Sequence, residues 1–151
     1  MKFLKILAVI MAVCMLGSAF IACDKDSGDG EAELPTADVQ ITLVIKEGSV
    51  EKYRDTVKCN GYLENAIEMF CAGEFEEEFT IFDNNNLLHT IGELSAGNGK
   101  RWKAYYEDEG QSKAFDYIKL SDEIKEEIKK DNDLAKKYML IDGKTVILVL
   151  E

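Results

Sequence analysis

The sequence predicts an α+β domain, a mixed sheet with one packed helix, and three observations carry that prediction. Val39, Ile41, Leu43 and Ile45 alternate with Gln40, Thr42 and Lys46, the period-2 pattern of a half-buried strand. Leu63, Ala66, Ile67, Phe70 and Cys71 fall at i, i+3, i+4, i+7 and i+8, a single apolar stripe on a helix. The last segment, 145–150, is apolar on both faces, as a strand in the middle of a sheet must be.

Taken in order, the elements fit this class. Glu47-Gly48 is a turn, and residues 50–59 return as the second strand of a hairpin, with Asp55 weakening the alternation between Tyr53 and Val57. The helix is expected over 62–72, capped at its start by Asn60 or Gly61 and at its end by Gly73. Residues 79–82 and 87–91 read as short strands joined by the turn Asp83-Asn84-Asn85-Asn86. After glycines at 92, 97 and 99, a strand over 101–107 places Trp102, Ala104 and Tyr106 on one face and Lys103 and Tyr105 on the other. Residues 121–130 form a polar helix with acids in its first turn, lysines at its end and Glu126 four before Lys130. Only Ile124 and Ile128 give that helix an inner side, which predicts a late surface helix, and its continuation through Leu134, Ala135 and Tyr138 is left open. Asp142-Gly143 turns the chain into the final strand.

The N-terminus has a different purpose. Lys2 and Lys5 precede an apolar run over 6–21 that stops at Ala22-Cys23 and gives way to Asp24-Lys25-Asp26-Ser27-Gly28. A basic start, a short greasy stretch and a small residue before the break describe a secretory signal, residues 1–22. The cysteine directly after Ala22 resembles the bacterial lipobox, with Phe20 where that box usually has Leu. The resemblance implies that Cys23 is diacylated, palmitate being a typical chain, and anchors the mature protein in the cell membrane on its extracytoplasmic side. Residues 23–36 have the composition of a flexible tether, so the folded domain is expected over 37–151. Removing residues 1–22 takes away two lysines and no acids and moves the net charge from −11 to −13. Such a balance excludes nucleic acid as a partner and leaves the lipid chain as the contact with the bilayer.

Few residues carry chemistry. Cys59 and Cys71 would be an exported protein's default disulfide. A helix over 60–71 separates them by roughly 15 Å at 1.5 Å per residue, twice the span a disulfide tolerates, so both are expected as thiols. The single His89 stands between Leu88 and Thr90 without the spacing of a metal or nucleophile site. Glu74, Glu76, Glu77 and Glu78 could offer oxygens to a hard cation. They could equally be a solvated acidic face, and no metal ligand is assigned. Trp102, Tyr105 and Tyr106 form the densest aromatic group and either line a ligand groove or fill the core. Tyr105, on the face opposite the other two, is the best candidate for contact. No phosphate loop and no base–nucleophile pair is present, so the sequence points away from an enzyme.

Several motifs recur together. Residues 41–45, Leu63-Glu64-Asn65-Ala66-Ile67, His89-Thr90-Ile91-Gly92-Glu93-Leu94, Trp102-Lys103-Ala104-Tyr105-Tyr106 and Asp142-Gly143-Lys144-Thr145-Val146-Ile147 together resemble the transcobalamin C-terminal-like domain family of bacterial surface proteins. The resemblance spans about 38–151, with residues 121–138 as an insertion. It implies a β-grasp-like fold and a ligand of the corrinoid (cobalamin) type, held without chemistry. The leading expectation is therefore a cell-surface lipoprotein that binds a small ligand near Trp102, Tyr105, Tyr106 and the glycine loop 92–99. The alternatives are a structural or protein-interaction module at the cell surface and a divalent-cation-binding lipoprotein. The lipid anchor is checked by metabolic labelling with a fatty-acid analogue: the wild-type chain takes up label and sediments with membranes, and Cys23→Ala loses both properties. Label retained by Cys23→Ala contradicts the assignment.

Overall fold

The computed structural model describes residues 32–75 and 81–151. The predicted signal 1–22, Cys23, most of the tether and Glu76 to Thr80 lie outside the described residues. The chain enters β1 (Val39–Glu47), turns, and returns as β2 (Val50–Cys59), in antiparallel register from Val39 opposite Cys59 to Glu47 opposite Val50. Helix α1 (Leu63–Glu74) follows, then the small hairpin β3 (Thr90–Ile91) and β4 (Leu94–Ser95), and then β5 (Trp102–Tyr106). A 3-10 turn (Gln111–Lys113), α2 (Asp122–Ile128) and α3 (Asn132–Tyr138) lead to β6 (Thr145–Leu150).

The main sheet has the order β2-β1-β6-β5. β6 runs parallel to β1, with Val44 opposite Ile147, and antiparallel to β5, with Ala104 opposite Leu148. First hairpin, helix, and last strand parallel to the first make a β-grasp-like α+β fold. The strand predicted to sit in the middle does so, because its two apolar faces have no other place to go. Its entry is fixed by the Asp142-Gly143 turn. The Asp142 carboxylate accepts from the Gln40 amide at 2.8 Å, and the Gly143 amide donates to the Gln40 carbonyl at 2.8 Å.

α1 seals one face of the sheet. Leu63, Ala66, Ile67, Phe70 and Cys71 are buried against Ile41, Leu43, Ile45, Val57 and Leu148, so the predicted stripe is the observed one. Its caps differ from expectation. Tyr62 is the N-cap without a side-chain bond, while Asn60 supports the approach, its carboxamide oxygen accepting from the Tyr62 amide at 3.2 Å. The helix also runs past Gly73 and ends at Phe75, whose amide bonds the Cys71 carbonyl. The Phe75 ring packs edge-on to Tyr53 and Phe70 at centroid distances of 5.4 and 6.1 Å. Gly92 sits against that ring with φ +56°, and a Cβ there would lie 2.7 Å from Phe75 Cζ, so both the backbone angle and the space demand glycine.

Two further expectations need correction, and the continuation left open after residue 130 takes a definite form. The strands over 79–82 and 87–91 reduce, among the described residues, to an isolated Phe82–Leu88 bridge and the two-residue β3. The Asp83 side chain takes the amides of Asn85 and Leu87, so the turn is present but consumes the ladder. The late helix is two helices. Asp131 accepts from the amides of Asp133 and Leu134 and starts a second one, which turns Ala135 onto Ile128, Tyr62 and Leu120 in a small separate core. With that break, Glu126 pairs with Lys129 rather than Lys130. Finally, ordered contacts begin ahead of residue 37: Leu34 packs on that small core and the Tyr62 hydroxyl donates to the Pro35 carbonyl at 2.7 Å. Among the described residues no helix is long and apolar enough to cross a membrane.

Ile67 is fully buried between helix and sheet, whereas Met69 on the same helix is half exposed. Ile67→Ala is expected to lower unfolding stability by about 2–5 kcal/mol, and Met69→Ala by no more than about 0.5 kcal/mol. Urea denaturation of the two variants checks the contrast.

Candidate functional site

β5 and its neighbours build two adjacent clefts. Alternation along β5 turns Trp102 and Tyr106 inward, and each spends a polar atom on a loop. The Trp102 indole donates to the His89 carbonyl at 3.1 Å, which holds the 87–89 segment beside the strand. The Tyr106 oxygen accepts from the Ile141 amide at 2.9 Å, and burial pushes its phenol pKa up. The Asp83 turn then presents Leu87 outward, 63 % exposed.

A strap over 114–121 crosses in front of β5. The Phe115 amide donates to the Ala104 carbonyl at 2.7 Å, and its ring meets Tyr106 edge-on at 4.9 Å. At the far end the Glu64 carboxylate of α1 accepts from the Leu120 amide at 3.0 Å and from Lys125 Nζ at 2.7 Å. Pinned at both ends, the strap divides the surface into a larger cleft of about 690 Å³ and a smaller one of about 350 Å³. Phe115, Asp116, Tyr117 and Ile118 line both. Trp102, Leu87, Leu88 and Ala104 form apolar parts of the larger cleft, with Arg101, Lys103 and Lys119 among its charged residues. Tyr62, Tyr106, Tyr138 and Ile141 line the smaller one.

No family model and no curated protein matches the chain. Its function must therefore be argued from the clefts themselves.

The aromatic candidates separate. Trp102 lines the larger cleft and Tyr106 the smaller. Tyr105 lines neither, which corrects its expected role as the exposed contact. It is 8 % exposed and packs with Val44, Ile147 and Val149 on the other face of the sheet. Its neighbour across the ladder is Ile147, so a residue that alternation places outside still joins an apolar row. Of the glycine loop, only Ala96 reaches a cleft. Phe115, Tyr117, Ile118 and Lys119 were not singled out in the sequence, since 111–120 has no periodicity to signal a structural role. Three apolar residues in five positions, Phe115, Tyr117 and Ile118, were the available hint.

Among the described residues, reactive groups do not converge. Cys59, the last residue of β2, and Cys71, in the last turn of α1, are both buried free thiols, and burial pushes Cys71 up to about 11, so it stays protonated at neutral pH. His89 Nδ1 lies 2.6 Å from Thr90 Oγ1, at the exposed entry to β3. Among the described residues nothing bonds its other ring nitrogen, so the orienting third member of a nucleophile–base system is lacking there. Among the described residues no three His, Cys, Asp or Glu side chains cluster to hold a metal. The acidic run reaches this test only through Glu74, its other members being outside the described residues.

Proposed function

We propose that this chain is a lipid-anchored, non-catalytic binding module on the extracytoplasmic side of the cell membrane, holding a small ligand in the clefts beside the 114–121 strap. The observation that carries the reading is where the apolar surface lies. The large hydrophobic side chains exposed among the described residues are Val50, Met69, Leu87, Tyr117 and Ile141, and the last three all line the two clefts. Apolar side chains left in water around a concavity lose that exposure when a ligand enters, which supplies the driving force for binding. A volume of about 690 Å³ falls in the ordinary range for small-molecule sites. Trp102 and Phe115 line the larger cleft, and the buried indole and phenol are already satisfied by backbone partners and so do not drain affinity.

The resemblance to the transcobalamin C-terminal-like family suggests a corrinoid as ligand class. A corrinoid is too large to be enclosed by either cleft and would rest across the strap, touching Leu87 and Tyr117 from outside. In this reading the domain contributes one wall of a site, and affinity is modest. The cation-binding alternative draws no support from the described residues, whose acids are paired with lysines or spread over the surface.

Titration of the detergent-solubilised lipoprotein with cyanocobalamin, followed by visible absorbance and by the fluorescence of its one tryptophan, tests the proposal. A saturable change is expected, and Leu87→Asp combined with Tyr117→Ala weakens it by about tenfold or more, equivalent to about 1.4 kcal/mol. Absence of any saturable change at millimolar cobalamin removes the corrinoid reading. Unchanged affinity in the double variant removes the clefts as its location.

A further inference from the structure

We infer that the larger cleft recognises an anionic group, a carboxylate or a phosphate, on a ligand with a flat apolar body, and that Arg101 is the recognising cation. This inference rests on the binding-module reading and specifies the ligand class of the same site. The chain as a whole is strongly acidic, with a net charge of −11, yet the charged side chains along this cleft are Arg101, Lys103 and Lys119 against Asp83 and Asp116. With Lys103 paired to Glu151, two cations and two acids remain along the cleft, so it is close to neutral within a strongly acidic chain.

The partners of four of these charges sharpen the point, with Asp116 remaining beside them as an acid of the same cleft. The Asp83 carboxylate already accepts from the amides of Asn85 and Leu87, at 2.8 and 2.9 Å. Lys103 is paired with Glu151 across the sheet edge. Lys119 holds its ammonium over the Phe82 ring, 5.0 Å from the centroid, which positions its stem. Arg101 is different. Its backbone is locked to Glu151 by two hydrogen bonds, amide to carbonyl at 2.6 Å and the reciprocal one at 3.0 Å. No ion pair or side-chain hydrogen bond within the described residues engages its guanidinium. A fixed Cα beside the Trp102 floor and an uncommitted planar fork suit bidentate capture of a carboxylate or phosphate. At physiological salt the Debye length is about 8 Å. The distant acids are therefore screened, while a contact at Arg101 is not.

The test uses ¹H–¹⁵N spectra of the mature chain titrated with indole-3-acetate, with its neutral isostere indole-3-acetamide, and with phenyl phosphate. Either anion is expected to shift the amides of residues 87–89, 102 and 115–119 and to bind at least tenfold tighter than the amide probe. Arg101→Gln is expected to erase that preference, and Lys119→Gln to reduce it. The relative affinity of indole-3-acetate and phenyl phosphate assigns the anion. Equal binding of indole-3-acetate and indole-3-acetamide overturns the anion inference and leaves the cleft as a binding site, and a preference that survives Arg101→Gln overturns the assignment of recognition to Arg101. Failure of all three probes to perturb the cleft removes the anion inference, while the binding-module reading stands or falls on the cobalamin titration.

Discussion

The parallel pairing of β1 with β6 is the constraint on which the rest of the structure depends. It joins residues about a hundred positions apart, Thr42 with Thr145 through Glu47 with Leu150, and everything between must be accommodated as an excursion from that seam. The pairing is held by burial on both faces: Leu43, Val44 and Ile45 on one side of the seam and Val146, Leu148 and Val149 on the other are all within 1 % of complete burial. Such a seam is slow to find, because the loop must close before any contact rewards it. Once formed it fixes where β2 and β5 lie, each having only one free edge to join.

From that seam the site follows by geometry. β5 becomes the outer strand, so its inner-face aromatics are covered by whatever the chain sends past them rather than by another strand. The chain sends two loops: 83–89, tied through the Trp102 indole, and the strap 114–121, tied through Phe115 and Glu64. Neither loop closes fully over β5. The spaces left are the two clefts, and their apolar rims at Leu87, Tyr117 and Ile141 are what a finished core would have hidden.

The regular elements were legible because each has one dominant period. β1, α1 and β6 read directly from hydrophobic spacing, and the two predicted turns at 83–86 and 142–143 are where Asp side chains bond the backbone. What escaped was set by context. Tyr105 and Val44 alternate outward, but on neighbouring strands they meet Ile147 and Val149 and make a second apolar row, which no single strand's pattern displays. The late helix was broken by Asp131, a capping residue that outweighed the continuing apolar spacing. The strap was illegible because its conformation comes from bonds to Ala104 and Glu64, partners distant in sequence. Two of the three aromatic candidates do reach clefts, while the charges of the larger cleft could be assembled only from the fold.

Native-state hydrogen exchange of the mature chain tests the central claim most directly. If the seam organises the fold, the amides of β1 and β6 share the highest protection, equal to the global unfolding free energy, with the strap opening at lower cost. Protection of β6 falling well below that of the β1–β2 hairpin would contradict the account, because the last strand would then be an attachment to the domain and not its centre.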